Sequence, residues 1–205
     1  MILKKRIGIL FNAFVLSFGF ALIVIAAAPR AGFAELQDLP KADGSGDLPD
    51  MMVDLFSSVP SAKTPKSMKL SSLRGKVALV DIFWSRCPHC EEHAPHIVEL
   101  NNQYRQRGLT VLGLATDRKD SQDDLNSLKG FLERTKLNYQ IGFLSGEIRM
   151  NYADPKDAGV PQIILFGADG KMILREIGWT PAQHEKIKKA IEAQLAKPAA
   201  RAGKK

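Results

Sequence analysis

Long apolar runs alternate with amphipathic stretches along most of the chain, and this pattern predicts an α/β fold. Two runs, Val77–Trp84 and Leu109–Ala115, are apolar almost throughout, as in strands that are covered on both faces. Between them, Ile97, Leu100 and Tyr104 recur at helical spacing, which predicts a helix with one buried face. The order of elements therefore indicates a central sheet flanked by helices.

The remaining pattern adds three pieces to this core. An N-terminal pair of short strands is predicted over residues 51–56 and 67–70. A second amphipathic helix is predicted by Leu125, Leu128, Phe131 and Leu132. After it, a hairpin is predicted over 162–177, with its turn at Asp169-Gly170. A last helix is predicted from the capping box at Thr180–Gln183, and its expected buried residues are Ile187, Ala190, Ile191 and Leu195.

The first 34 residues predict an export segment. Three basic residues, 4–6, precede an uncharged stretch of 22 residues, Ile7–Ala28, which is long enough to span a bilayer as a helix. This length favours an uncleaved anchor, whereas the small residues before Ala34 would allow cleavage after it. Under both readings the basic residues stay in the cytoplasm and the rest of the chain lies outside it.

The rest of the chain divides into a linker over 35–48, a folded domain over 49–196 and a basic disordered tail over 197–205. The net charge of +7 does not indicate a nucleic-acid partner, because the first 34 residues hold four basic residues and no acid. The remaining chain has 25 basic and 22 acidic residues, and much of that surplus lies in the last helix and the tail. A basic tail is not a binding groove.

Cys87-Pro88-His89-Cys90 is the strongest motif of the chain. It lies between a predicted buried strand and a predicted helix, whose free N–H groups and dipole favour a thiolate at Cys87. Arg86 and His89 add positive charge next to it. The spacing therefore predicts a redox pair, in which Cys87 is an exposed nucleophile and Cys90 is buried and resolves the mixed disulfide. A merely stabilising disulfide would close a four-residue loop and remove little chain entropy.

A metal site is the main alternative reading of this segment. Cys87, Cys90, His93 and His96 are four candidate zinc ligands, but they share one short helix, which spreads them over different faces. We therefore predict no metal there and expect both histidines to be exposed helix residues. The acidic residues after the second strand lack EF-hand spacing and are expected in a solvated loop and helix start: Asp117, Asp120, Asp123 and Asp124.

The segment from Val80 to Cys90 resembles the active-site strand, turn and helix of the thioredoxin superfamily. Further features resemble its membrane-tethered TlpA/ResA/CcmG-type branch. These are the N-terminal anchor, the lead-in over 70–76, Pro95, and Gly159-Val160-Pro161-Gln162 followed by Asp169-Gly170-Lys171. The resemblance implies a thioredoxin-like fold with a central mixed sheet, an N-terminal hairpin and an inserted strand and helix.

The resemblance also implies roles for residues beyond the two cysteines. Val160-Pro161 is implied to be a cis peptide that binds the backbone of the substrate. Asp81 matches the buried aspartate of thioredoxin, and a carboxyl group inside an apolar strand has a raised pKa suited to proton transfer with Cys90. The chain departs from the family where Arg86 replaces the usual tryptophan, with Trp84 two places earlier, and where His93 replaces a common glutamate. Pro88 and His89 match DsbA-type oxidants instead.

These observations predict an extracytoplasmic thiol–disulfide oxidoreductase with no cofactor. Its expected partners are protein thiols or disulfides, such as those of apocytochrome c, and a membrane redox partner, with the chain tethered by residues 7–28. The direction of electron flow and the client proteins stay open. A thiol peroxidase on the same fold is a weaker alternative, since Trp84 stands where such sites want Ser or Thr. A copper- or zinc-binding module is the alternative from another class of protein.

Overall fold

A computed structural model describes residues 48–57, 66–152 and 159–197. The predicted anchor, most of the linker and nearly all of the basic tail lie outside the described residues. Within the described part of the chain, no helix is both long and apolar enough to cross a membrane.

The described residues form seven strands and four α-helices. In chain order these are β1 (Met52–Asp54), β2 (Ser67–Lys69), β3 (Val77–Phe83), α1 (Pro88–Tyr104), β4 (Leu109–Ala115), α2 (Gln122–Thr135), β5 (Gln140–Phe143), α3 (Gly146–Tyr152), β6 (Gln162–Phe166), β7 (Met172–Ile177) and α4 (Pro181–Leu195). Short 3₁₀ turns follow β2 and α1.

Five strands form one mixed sheet in the order β5-β4-β3-β6-β7. β3 pairs in parallel with β4 and antiparallel with β6, so it lies at the centre of the sheet. Every residue of β3 is buried, as its continuous apolar run predicts. β1 and β2 form the separate antiparallel pair that the sequence predicts.

Alternation along β3 assigns its side chains to two faces. Ala78, Val80 and Ile82 belong to one apolar cluster, which also contains Val53 of β1 and Ile148 of α3. Val77 and Leu79 pack instead with the buried faces of α1 and α4. Asp81 follows at the same period, so the strand points this carboxyl group toward α1, the helix that begins at the cysteines.

The predicted ends of elements are largely confirmed. Gly108 has a left-handed backbone with φ of 108° and ends the turn after α1, which favours glycine there. The Thr180 hydroxyl accepts from the Gln183 amide at 3.2 Å and caps α4. β6 and β7 pair as the predicted hairpin.

Two features differ from the pattern-based reading. β5 and α3 were absent from the predicted order of elements, although the family resemblance implies an inserted strand and helix. Leu48, placed at the end of the linker, is fully buried in the core. Its amide donates to Gly170 at 2.7 Å, and its carbonyl accepts from the Arg74 guanidinium at 2.6 Å.

Candidate active site

Cys87 lies at the junction between the central strand and α1. Its amide donates to the Trp84 carbonyl at 3.0 Å, which closes the loop after β3. Its Sγ is the N-cap of the helix and accepts from the Cys90 amide at 3.3 Å. Pro88 occupies the first helical turn, where no N–H partner is needed. The sulfur is therefore held against the positive end of the helix, as the sequence predicts.

The two thiols differ in exposure. Both cysteines are free, with 9% of Cys87 and 2% of Cys90 exposed. Cys87 is thus much less exposed than the open nucleophile that the sequence predicts, because the loop before β6 covers it. Burial, with the hydrogen bond to Cys87, raises the pKa of the Cys90 thiol well above its usual range. Cys90 is a protonated thiol at rest and needs a base to react.

The loop before β6 covers Cys87 from the other side. Val160-Pro161 is a cis peptide, as the family resemblance implies. The Cys87 thiol donates to the Val160 carbonyl at 3.5 Å. An open groove of about 460 Å³ runs along this loop between His89 and Trp179. Pro161 itself is buried, whereas Val160 is partly exposed, so the loop offers backbone and a small apolar surface beside the sulfur.

Asp81 lies in the core, and its charge adds to the burial that raises the pKa of the Cys90 thiol. Its side chain is buried, with 3% exposed, on the strand that leads to Cys87. The Tyr139 hydroxyl donates to its Oδ2 at 2.8 Å. Burial raises the pKa of Asp81 to about 7, and the Tyr139 hydrogen bond only partly opposes this shift. A carboxyl group with this pKa can accept and return a proton at neutral pH. Tyr139 gives no recognisable signal in the sequence.

His93 is buried, which corrects the expectation that it is an exposed helix residue. Only 1% of it is exposed, and its Nδ1 lies 4.0 Å from Oδ1 of Asp81. Burial, followed by the charges of two nearby histidines, lowers the pKa of His93 to about 4. The sequence contains a signal for this position, since His93 precedes Ile97 by four residues and so shares its buried face.

Asp81 and His93 do not form an ion pair. A separation of 4.0 Å is too long for a hydrogen bond, and burial disfavours the charge on both groups. Oδ1 of Asp81 and Nε2 of His93 are buried with no hydrogen-bond partner. Such unsatisfied polar atoms are rare in protein interiors and are characteristic of functional sites.

The positive charges next to Cys87 are engaged elsewhere. The Arg86 guanidinium donates to Asp124 at 2.7 Å and to Asp123 at 2.6 Å. The side chain of His89 is 78% exposed, and its Nδ1 lies 3.4 Å from Glu92. The predicted stabilisation of the thiolate by these two side chains is therefore largely offset by carboxylates and solvent.

Asp117 and Asp124, expected in a solvated loop and helix start, are in fact buried, although Asp124 does lie in the first turn of α2. Asp117 accepts hydrogen bonds from the Ser85 amide at 3.1 Å and from the Ser85 hydroxyl. Asp124 accepts from Arg86 and from Arg118, and these bonds lower its pKa. Both carboxylates thus anchor the loop that carries Cys87. Because they come from elements more than 30 residues away in the chain, no local pattern indicates the contact.

The other site candidates are separated by the fold. Trp84 is 40% exposed and lies outside β3. His96 stacks on Trp179 with ring centroids 4.2 Å apart, whereas His93 faces Asp81. Among the described residues, no group of close metal-ligating atoms includes either cysteine. The four-ligand set Cys87, Cys90, His93 and His96 is therefore not assembled.

Comparison with known proteins yields a family, relatives and similar structures. The Redoxin family model matches residues 45–191. The thiol-disulfide oxidoreductase ResA of Bacillus thuringiensis (strain Al Hakam) is 25% identical over 134 residues, which cover 64% of this chain and 69% of that protein. Protein DipZ of Mycobacterium bovis is 41% identical over 51 residues, covering 25% of this chain and 7% of that protein.

Solved structures share the fold. A putative thiol:disulfide interchange protein DsbE from Chlorobium tepidum superposes with a TM-score of 0.61 at 23% identity, covering 74% of this chain and 97% of that one. A putative protein disulfide isomerase from Bacteroides thetaiotaomicron also superposes with a TM-score of 0.61 at 23% identity. The match covers 75% of this chain and 90% of that one. The family match, these relatives and the paired cysteines agree. The chain belongs to the Redoxin family and is a thioredoxin-fold thiol–disulfide oxidoreductase of the TlpA/ResA/CcmG type.

Proposed function

We propose that the chain works outside the cytoplasm, held at the membrane by residues 7–28, and reduces disulfides in exported proteins. The observation that carries the proposal is the arrangement of the two thiols. Cys87 caps a helix beneath the Val160 carbonyl, and Cys90 is buried directly behind it. This arrangement suits a nucleophile that meets the client and a partner that acts only after the first step.

The exchange proceeds in two steps. The Cys87 thiolate attacks a sulfur of the client disulfide, so that one S–S bond forms, another breaks, and the first client sulfur leaves as a thiolate. Asp81 then accepts the proton of Cys90, whose thiolate attacks Cys87 and forms the internal disulfide. The second client sulfur leaves as a thiolate. The client gains two electrons, and the Cys87–Cys90 pair loses them.

The loop at Val160-Pro161 presents the client. The Val160 carbonyl already lies 3.5 Å from the Cys87 sulfur, and the groove beside it is open to solvent. An extended client segment would pair with this backbone, as a peptide pairs with a free strand edge. Apocytochrome c is one client class that fits a reductant at this location, and a membrane protein that supplies electrons is the partner that this cycle requires.

The charges around the cysteine pair support a reducing direction of electron flow. A strong oxidant needs a reduced form that is stabilised, and nearby positive charge is one way to achieve this. Here Arg86 is bound to Asp123 and Asp124, and the His89 side chain is mostly in solvent. The burial of Cys90 also disfavours its thiolate. We therefore assign the pair to the reducing side, despite its Pro88-His89 dipeptide.

Two cysteine variants test the roles. Cys87→Ser abolishes exchange with a model disulfide, because it removes the sulfur that attacks the client. Cys90→Ser permits the first step only, so a mixed disulfide between Cys87 and the client accumulates and is detected by mass spectrometry. Activity retained in Cys87→Ser, or a mixed disulfide on Cys90 in the wild type, contradicts the assignment.

Topology is tested separately. Alkaline phosphatase fused after residue 205 folds only where disulfides form, so the fusion is active if the domain lies outside the cytoplasm. An inactive but intact fusion would contradict the proposed location and leave the exchange chemistry untouched.

A further inference from the structure

Three metal-ligating side chains meet on the surface between α1 and α4. His96 and Glu99 lie one helical turn apart on α1, and His184 comes from the first turn of α4. One ligand atom from each lies within 4.8 Å of the others. Among the described residues, no other group of three His, Cys, Asp or Glu side chains is this close.

The donor set suits a borderline divalent metal. Two imidazoles and one carboxylate are a common set of three protein ligands for Zn²⁺, with a fourth position left for water. Ligand atoms around a tetrahedral Zn²⁺ lie about 3.3 Å apart, given bonds of about 2.0 Å. The side chain of Glu99 is exposed, so its rotamer can adjust when a metal binds.

The ring of His96 is held in a restricted orientation before any metal binds. The ring of His96 stacks on the indole of Trp179, with the ring centroids 4.2 Å apart and 15° between the planes. The ring centroids of His184 and His96 lie 5.3 Å apart. The stack restricts the ring, so less conformational entropy is lost when a metal binds.

We propose that His96, Glu99 and His184 bind one divalent transition-metal ion of the Zn²⁺ class, at a site separate from the cysteines. The ion joins α1 to α4 beside Trp179. The oxidoreductase activity does not require this site, because none of its three ligands takes part in the exchange chemistry.

Calorimetric titration with Zn²⁺ tests the site in the full chain, purified in detergent. The Cys87–Cys90 pair is kept oxidised so that the thiols do not compete for metal. We expect one equivalent of Zn²⁺ to bind, with affinity lowered at least tenfold in His96→Ala and His184→Ala. Glu99→Gln at an exposed position leaves the fold intact and lowers the affinity about tenfold. His89→Ala, which removes an exposed histidine outside the cluster, is the matched control and keeps wild-type affinity.

Copper gives a positional readout. Cu²⁺ quenches indole fluorescence at short range, and the chain has two tryptophans, Trp84 and Trp179. In Trp84→Phe, one equivalent of Cu²⁺ should quench most of the remaining emission, and His184→Ala should abolish this effect. Binding that is unchanged in Glu99→Gln and His184→Ala, no stoichiometric binding of Zn²⁺, or no quenching of Trp179 would each overturn the proposal.

Discussion

The polar groups on the two sides of the loop that carries Cys87 differ in whether they have partners. The inner cluster, Asp81, His93 and Tyr139, lies in the core and contains shifted pKa values and unpartnered polar atoms. In the outer cluster, Arg86, Asp123 and the buried Asp124, each charge has an opposite partner within 2.7 Å.

We infer from this difference that the two clusters have different roles. Unsatisfied buried groups are costly to maintain, and we propose that the inner cluster is the part of the site arranged for proton transfer. The outer cluster and the Ser85–Asp117 hydrogen bonds hold the loop in place. The positive residue nearest the nucleophile therefore acts through position rather than through an uncompensated charge.

The largest expected effect is on proton transfer in the inner cluster. Asp81→Asn cannot accept the Cys90 proton, so we expect release of the second client thiol to slow about 10²-fold. The rate of wild-type release should rise with pH through about 7, where Asp81 loses its proton, and this inflection should vanish in the variant. Single-turnover measurements with a fluorescent disulfide check both outcomes.

Asp123→Asn in the outer cluster is the matched control for this variant. It removes an exposed carboxylate near the same loop and should leave the rate and its pH profile unchanged. Equal slowing in both variants would contradict the division between the two clusters.

The next effect is on stability as a function of pH. In the folded protein, the pKa of Asp81 is about 7, above its ordinary value of 3.8. Its contribution to the free energy of unfolding is therefore present below pH 3.8 and is lost as the pH rises through 7. His93 has a folded pKa of about 4 below its ordinary 6.5, so its contribution is present above pH 6.5 and is lost as the pH falls through 4. The two slopes oppose each other over this range.

Single variants should reveal each slope. Between pH 4 and 6.5, we expect the free energy of unfolding of His93→Gln to fall as the pH rises, and that of Asp81→Asn to rise, each by on the order of 2–3 kcal/mol. The wild type should change less than either variant. Urea unfolding at several pH values measures this, and parallel profiles for all three proteins would show that the pair is not buried as described.

The smallest effects belong to the outer cluster and to a separate, exposed ion pair. Arg86→Ala leaves the buried Asp124 with Arg118 alone, so we expect a loss of about 1–2 kcal/mol in the free energy of unfolding. Arg134→Ala removes an ion pair with Glu91 whose side chains are both largely exposed and should cost under about 1 kcal/mol. Neither variant should move the reduction potential by more than about 30 mV. A larger shift in Arg86→Ala would mean that its charge does reach the sulfur.

Local patterns were enough to predict the framework of the site. The central strand, the helix that begins at Pro88, the hairpin and the cap at Thr180 all follow from apolar periodicity and turn chemistry. The apolar pattern does not predict β5, whose four residues include a glycine. β5 depends on Gly142, where an added Cβ would clash with the side chain of Val53, and such a close approach cannot be read from the sequence.

The partners of the site residues were harder to predict. Asp81 could be placed in the core, because an acid inside a covered strand is buried wherever the strand lies. The burial of His93 was within reach of the helical period that predicts the burial of Ile97. Tyr139 and Asp117 meet the site from elements distant in the chain, and such contacts depend on the assembled sheet rather than on local pattern.

The reduction potential of the Cys87–Cys90 pair tests the central claim most directly. The full chain is equilibrated against glutathione buffers, and the fraction of free thiol is determined by alkylation. Because the outer charges are compensated and Cys90 is buried, we expect a value near that of thioredoxin, about −270 mV, or lower. A value near that of DsbA, about −120 mV, would contradict it, because it would show that the Cys87 thiolate is stabilised by charges that the structure pairs elsewhere.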